Sequence, residues 1–507
     1  MAYIFKKILE ISTNAKYRKQ GGLHLSDMLR ISGIPVSSLD DRVRSLLDHP
    51  IKQICYARKR MVPDSLAIVS FGGPYPETPT AIKKAVASGA VALLVKEAVP
   101  DIPCIVVPKP LHVYAKLCAH FRDMHPSVKS TAIIGSIGKT TVKNMVDAVY
   151  RERYRTLTEP TNDNQPEIIG FTAQHLSSHI DRWIQEVAES IPESAKEMSL
   201  ILKPNVVIIT TIDNSHIGRL GGMDAIFNEI NDATEYLSKD GIVILKKEEI
   251  IPIDRFEGKR IVTVSVSDPA ADYHTGEIEV KEDGIHYTVY EKDGVSCKIH
   301  LKNIFAKHNV LNALYAYAAG RHEGLLPEEV ARGLGKFKTT GYRNNVYKSD
   351  SGKDVIYADC YNAVGRSIRA ALDAADQIPL AGNGKRIAVL GDVQELGDKT
   401  AEEHLGILQD VNQSSFDKVI LQGPFFHTAA DGFSFRDGLE VKCCESVGEI
   451  VSELRPSLSQ GNLFLFKASH SSHLEDCIQG LWPRLFKEKE KEEQKLKTHW
   501  KLQVLRP

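Results

Sequence analysis

The residues whose chemistry is most legible are Gly135-Ser136-Ile137-Gly138-Lys139-Thr140-Thr141, set between an apolar run at 131–135 and a helical stretch at 139–154. Glycines let the backbone curl so that its N–H groups face phosphate oxygens, and the following helix N-terminus adds positive potential. Lys139 is placed to neutralise terminal phosphates and the Thr140 hydroxyl to ligate magnesium, with Ser136 and Thr141 in the same cradle. Counted from Gly135, the loop has fewer residues between its glycines than the usual eight-residue phosphate loop, but it keeps the groups that the chemistry needs. A nucleotide-binding site is expected here.

Such a loop needs a strand before it and a helix after it, and the surrounding sequence supplies both repeatedly. From about residue 66 to 108, the runs LAIVSF, VALLV and CIVVP are separated by turns and by the helical spacing of TAIKKAVASGA, which predicts a small α/β domain after a helix-rich lead-in. TAIIG, WIQEVA, NVVIITTI and GIVILK alternate with helical stretches, as in a mainly parallel sheet covered on both faces. Within this region, residues 277–301 alternate with period two around EDG and KDG turns and read as an antiparallel hairpin insertion. After a glycine-bearing hinge near Thr340–Arg343, VIYADC, KRIAVLGD, KVILQG and NLFLFKAS predict a third, Rossmann-like α/β sheet. The fold class is therefore α/β with three domains, bounded at 1–127, 128–343 and 344–507. The charged helix from Phe486 has little to bury and is expected to be solvated.

Composition narrows the partners. With 64 Lys and Arg against 65 Asp and Glu, the net charge of −1 provides no general attraction for nucleic acid or an anionic membrane. The eight cysteines, at 55, 104, 118, 297, 360, 443, 444 and 477, form no CxxC pair and no metal-ligand spacing, which fits reduced thiols. No apolar run approaches a membrane span, and the N-terminal segment is too charged for a signal peptide. A cytoplasmic monomer without membrane insertion is expected.

The order of motifs carries more than any one of them. GSIGKTT, TNDNQPEIIG at 161–170, IQEVAES at 184–190, TTIDNSHIG at 210–218, KHNVLNALYAYAAG at 307–320, TGYR at 340–343, ADCYNA at 358–363, GDVQELG at 391–397 and KASHSSHLE at 467–475 follow one another as in the Mur ligases. The chain resembles this family over roughly residues 55 to 480, most nearly the members that add D-alanyl-D-alanine to UDP-N-acetylmuramoyl-tripeptide. The resemblance implies a three-domain fold with a central ATP-binding domain and a peptide synthase reaction that forms ADP. ATP phosphorylates a substrate carboxylate, and an amine attacks the acyl phosphate. It also implies magnesium as cofactor, and two small-molecule substrates: an acid, UDP-linked in the family, and an amino acid or dipeptide.

By matching position, the resemblance assigns Lys139 to the β/γ-phosphates, and Thr140, Glu186 and His216 to magnesium. His308, Asn309 and Asn312 fall to adenine. Arg343 falls to the phosphates on domain closure, and Asp359, Tyr361 and Asn362 to ribose or base. Arg58 and Asn164 would contact the acid substrate, and Lys467, Ser469 and His473 the amine. Plainer alternatives are a solvent-facing Glu186, a turn-capping His216 and a helix-capping Asn309.

The chain also departs from the family. No lysine occurs between Lys203 and Lys239 to serve as the carbamylated metal ligand, so Glu229 is expected to supply a carboxylate instead. The Ser-Arg and Asp-Gly-His elements expected for a UDP-sugar appear as Ala57-Arg58 and Glu77-Thr78-Pro79, and Val364-Gly365 follows Tyr361-Asn362-Ala363 where an asparagine-proline is usual. Two further readings stay open: a Mur-like ligase of a specialised pathway that joins another acid and amine, and a nucleotide-binding regulatory protein whose catalysis has decayed.

Overall fold

A computed structural model describes residues 23–56, 61–70, 77–189, 192–212, 220, 222–339, 341–361, 363–380, 382–394 and 396–505. The chain is mixed α/β with largely parallel sheets, as expected, and it divides into two compact units. The first comprises Met1–Ser265, Tyr315–Leu326 and Lys497–Pro507, and the second Val266–Leu314 and Pro327–Leu496.

The first unit contains two parallel sheets. The strands Gln53–Tyr56, Ser65–Ile68, Ala90–Val95 and Cys104–Val106 lie in sequence order. The second sheet runs, edge to edge within this unit, Arg260–Ser265, Ile242–Lys246, Val206–Ile209, Lys129–Ile134, Arg182–Glu186, Thr156–Thr158, every pair parallel. Its middle strands are buried at nearly every position, because helices cover both faces and leave no solvated side for alternation. The strand order reverses at Lys129–Ile134, and in open α/β sheets a ligand crevice forms outside the carboxyl ends at such a switch point.

One apolar core runs through both sheets, joined by the helix Pro110–Asp123, which packs on Pro166–Gln174 and Ser194–Leu202. Gln174 strengthens the junction by acting as a strand partner. Its Oε1 accepts from Ile54 N and its Nε2 donates to Ile54 O, each at 2.8 Å, so the edge of the first sheet is not left with unpaired amides.

In the second unit, the expected hairpin is present. Gly284–Glu291 pairs antiparallel with Ser296–Lys302 along one edge and with Glu279–Lys281 and Tyr273–Thr275 along the other. The helix Pro327–Lys336 packs on Ser296–Lys302. The unit's six-stranded sheet has the order Asn345–Lys348, Val355–Asp359, Leu463–Lys467, Arg386–Gly391, Lys418–Gln422, Glu440–Cys444, with only the first pair antiparallel. The four central strands are those expected from sequence. Both edge strands went unanticipated, because NVYK and EVKCC are short and keep partly exposed positions, so they lack a continuous apolar run.

The C-terminal helix Pro483–Leu505 corrects one expectation. Its charged stretch is exposed, but Trp500 is 6% exposed, joins the core of the first unit and lies 6.2 Å from the Phe171 ring. Its indole N–H makes no hydrogen bond among the described residues, so its contribution is apolar. Trp500→Ala is expected to cost about 3–5 kcal/mol in urea unfolding, and Trp500→Phe about half as much or less.

Candidate active site

At the end of Lys129–Ile134 the chain turns sharply. Gly135 has φ +124°, and a Cβ there would lie 2.5 Å from Thr210 Oγ1 and 2.7 Å from Thr210 O, so only glycine lets the loop press against the neighbouring strand's exit. The Ser136 and Ile137 amides both donate to Thr211 O, at 3.1 and 3.0 Å. These two N–H groups brace the loop against the adjacent chain and do not face inward as a phosphate cradle would have them. Gly138, with φ +92°, starts the helix Lys139–Tyr150, whose first-turn amides of Lys139, Thr140 and Thr141 have no intrahelical carbonyl to bond.

Lys139 and Lys143 stand one helical turn apart on the same face. The Lys139 ammonium donates to Gly135 O and to both oxygens of Glu189, at 2.9 and 3.0 Å. Lys143 is 1% exposed. It sits 3.2 Å from Glu186 Oε1 and 3.8 Å from Glu159 Oε2, and donates to the carbonyls of Glu159 and Thr161. Glu186 ends the strand Arg182–Glu186 and is buried, which removes the alternative of a solvent-facing side chain. Glu159 is held by Thr161 N at 2.9 Å and Thr161 Oγ1 at 2.6 Å, yet burial still pushes its carboxyl pKa up.

Three buried carboxylates thus face two ammonium groups at the carboxyl edge of the sheet. The excess of one negative charge, carried on hard oxygens, suits a divalent cation such as magnesium. Asn164 belongs to the same neighbourhood, since its carbonyl accepts from Ala188 N at 3.2 Å. Glu189, Lys143 and Glu159 carry no expectation from sequence. The signal for Lys143 was the i, i+4 spacing after Lys139, and for Glu189 a second carboxylate three residues beyond a strand end. Glu159 had no local signal.

Glu229 is placed otherwise than a metal ligand requires. Its two carboxylate oxygens accept from Glu193 N and, at 3.0 Å, from Ala195 N, capping the helix Ser194–Leu202. Burial raises its pKa to about 7 despite these two bonds. His216, Arg58 and Asn362 lie outside the described residues.

The second unit gathers a different set. Asp359 and Lys467, register neighbours at the ends of adjacent parallel strands, pair at 2.9 Å, and Asp359 also accepts from Asn344 N at 3.2 Å. The Tyr361 ring lies 3.8 Å from the Arg343 guanidinium carbon and stacks with His470 at 5.7 Å. His308, on the first turn of the helix His308–His322, feels the charges of Asp359, Lys467 and Arg366. Behind it Asn309 is buried and accepts from Asn312 Nδ2 at 3.1 Å, while its own Nδ2 makes no hydrogen bond among the described residues. Ser469 bonds Ser471 at 2.8 Å, and exposed His473 has φ +53° at the head of the helix Leu474–Leu481. Of the expected amine contacts, Lys467 is buried in an ion pair and the other two remain on the surface side of the strand end.

Two predictions follow from these charges. Lys143→Met strands Glu186 and Glu159 without their cation and is expected to cost about 3–5 kcal/mol in urea unfolding, partly recovered by adding Glu186→Gln. The pKa of Glu229 in the fold, about 7, stands above its ordinary value of 4.5, so it contributes stability that is complete below pH 4.5 and lost as pH rises through 7. Glu229→Ala should therefore flatten the pH dependence of stability across that window, by about 3 kcal/mol at most.

The sequence matches the Mur ligase middle domain over residues 133–320 and the Mur ligase glutamate ligase domain over residues 343–470. It is 29% identical over 408 residues to the UDP-N-acetylmuramoyl-tripeptide--D-alanyl-D-alanine ligase of Bacillus subtilis strain 168, covering 79% of this chain and 86% of that one. Among solved structures, MurF from Acinetobacter baumannii superposes with a TM-score of 0.73 at 22% identity, covering 91% of this chain and 98% of that chain. The MurF ligase from Thermotoga maritima in complex with ADP gives 0.69 at 19% identity, covering 87% and 98%. No helix among the described residues is long and apolar enough to cross a membrane.

Proposed function

The chain belongs to the Mur ligase family, and on that premise we propose that it is an ATP-dependent, ADP-forming ligase that adds D-alanyl-D-alanine to UDP-N-acetylmuramoyl-tripeptide in peptidoglycan synthesis. The observation that carries the reading is the pairing of a phosphate loop with Glu186 and Glu189 at the carboxyl ends of adjoining strands. Phosphoryl transfer between two anions needs charge neutralisation and in-line placement more than covalent help.

In this reading Lys139 leaves Glu189 for the β/γ-phosphates, and the open first-turn amides of its helix donate to phosphate oxygens. Thr140, Glu186 and His216 would hold magnesium, which when bound would neutralise the phosphates. Glu189, the Lys139 partner at the same sheet edge, would join them as Lys139 turns to nucleotide, whereas Glu229 caps a helix. The substrate carboxylate takes the γ-phosphoryl group and ADP departs. The amine nitrogen then attacks the acyl carbon, loses its proton, and phosphate leaves as the amide forms. His308, Asn309, Asn312, Asp359, Tyr361, Asn362 and Arg343 serve the nucleotide, Arg58 and Asn164 the acid, and Lys467, Ser469 and His473 the amine. The domain limits that go with this reading are 1–127 for the acid, 128–343 for ATP and 344–507 for the amine. The protein works as a cytoplasmic monomer on small molecules and binds no nucleic acid.

One observation favours a second reading, a ligase of the same chemistry acting on another acid. Where the family's UDP-sugar element is expected, Glu77 accepts from Lys96 N at 2.8 Å and Thr78 caps the helix Pro79–Ala87 through Ala81 N at 3.2 Å, so both side chains serve the backbone.

The deciding assay supplies ATP, magnesium, UDP-N-acetylmuramoyl-tripeptide and D-Ala-D-Ala, follows phosphate release and identifies the product by mass. A UDP-muramoyl-pentapeptide is expected, and Lys139→Ala should lower its rate at least about a thousandfold. Phosphate release with other acid and amine pairs alone would establish the second reading, and none with any pair would overturn both.

A further inference from the structure

The antiparallel hairpin of the second unit holds a cluster that the ligase reaction does not use. His286, on Gly284–Glu291, and His300, on Ser296–Lys302, are direct cross-strand partners whose rings stack at 4.0 Å with an interplanar angle of 18°. Asp283, in the turn just before the first of these strands, reaches both. Its Oδ1 is 2.8 Å from His286 Nε2 and its Oδ2 is 3.2 Å from His300 Nε2. All three donor atoms lie within 4.8 Å of one another.

This spacing is close to that of a coordination shell. Two donors about 2.0–2.1 Å from zinc at a tetrahedral angle stand about 3.3–3.4 Å apart, so a cation could enter between the carboxylate and the two imidazoles with small side-chain movements. Backbone features hold the three groups in register. Gly284 has φ +130°, and a Cβ there would strike Leu301 O, so the turn that carries Asp283 folds tightly onto the far strand only because residue 284 is glycine. Asn303 N donates to Asp283 O at 2.9 Å and ties the same turn to the end of that strand.

We propose that Asp283, His286 and His300 form a binding site for a divalent transition-metal cation of the zinc class, with water completing the shell on the open side. Imidazole nitrogen with one carboxylate selects zinc, nickel or copper over magnesium, so this site is chemically separate from the oxygen-rich nucleotide site. It closes the hairpin by linking its two strands and the turn before them.

The test titrates ZnCl2 into the full chain, freed of metal by chelator, at pH 7.5 in the absence of nucleotide, and compares it with His286→Thr/His300→Thr and with Asp283→Asn. Threonine keeps the strand propensity at the cross-strand pair, and circular dichroism checks that each variant is folded. The unaltered chain is expected to bind one equivalent of zinc more than the double variant, and Asp283→Asn to weaken that equivalent about tenfold or more. Zinc should raise the melting temperature of the unaltered chain and leave that of the double variant unchanged. Equal stoichiometry and equal melting response in the unaltered chain and the double variant would overturn the proposal. Because ligase activity is not the readout, failure here is distinct from failure of the functional reading.

Discussion

Two lysines on one face of a single helix, driven into the carboxyl edge of a parallel sheet, set the terms for the nucleotide site. Lys143 is almost wholly removed from water, and a buried ammonium survives only with opposing charge and hydrogen-bond acceptors around it. Glu186, Glu159 and two backbone carbonyls meet that need, and their arrangement fixes where the strand Arg182–Glu186 must end and how the segment after Thr156–Thr158 must turn. Lys139, one turn earlier, remains closer to the surface, with Glu189 as its carboxylate partner among the described residues. The inner lysine is therefore enclosed and the outer one less so, a difference that follows from burial.

The parallel sheet makes this arrangement available. Parallel strands deliver all their carboxyl ends to one edge, so residues distant in sequence, such as Gly135, Glu186 and Thr210, arrive together without any local pairing between them. Helix N-termini point to the same edge, and their open amides add the positive potential that anions need. Acidic side chains can be buried there at tolerable cost, because lysines and amides share the space.

The second unit solves a similar problem with less charge. Asp359 and Lys467 neutralise each other at adjacent strand ends, and Arg343 lies against Tyr361 rather than against a carboxylate. Aromatic and imidazole faces dominate this edge, which suits planar ligands, while the first unit's edge suits phosphate. Asn309 is buried in the first turn of its helix with Asn312 bonded to its side-chain oxygen, which leaves its Nδ2 without a hydrogen bond among the described residues.

By itself the sequence determined the fold class, the glycine loop between strand and helix, and most strands of the three sheets, because apolar runs bounded by glycine and by helical spacing are local patterns. It also marked Lys139, Glu186 and Asp359 through the order of their motifs. Tertiary structure alone decided what each charge faces. Glu189 partners Lys139 across fifty residues, Glu159 reaches Lys143 from another strand exit, Glu229 caps a helix instead of standing open, and Trp500 returns to a core some 330 residues earlier in the chain. Local spacing encodes periodicity, which the backbone reads within a few residues. Charge compensation and burial depend on which strand ends lie side by side, and only the folded sheet order sets that.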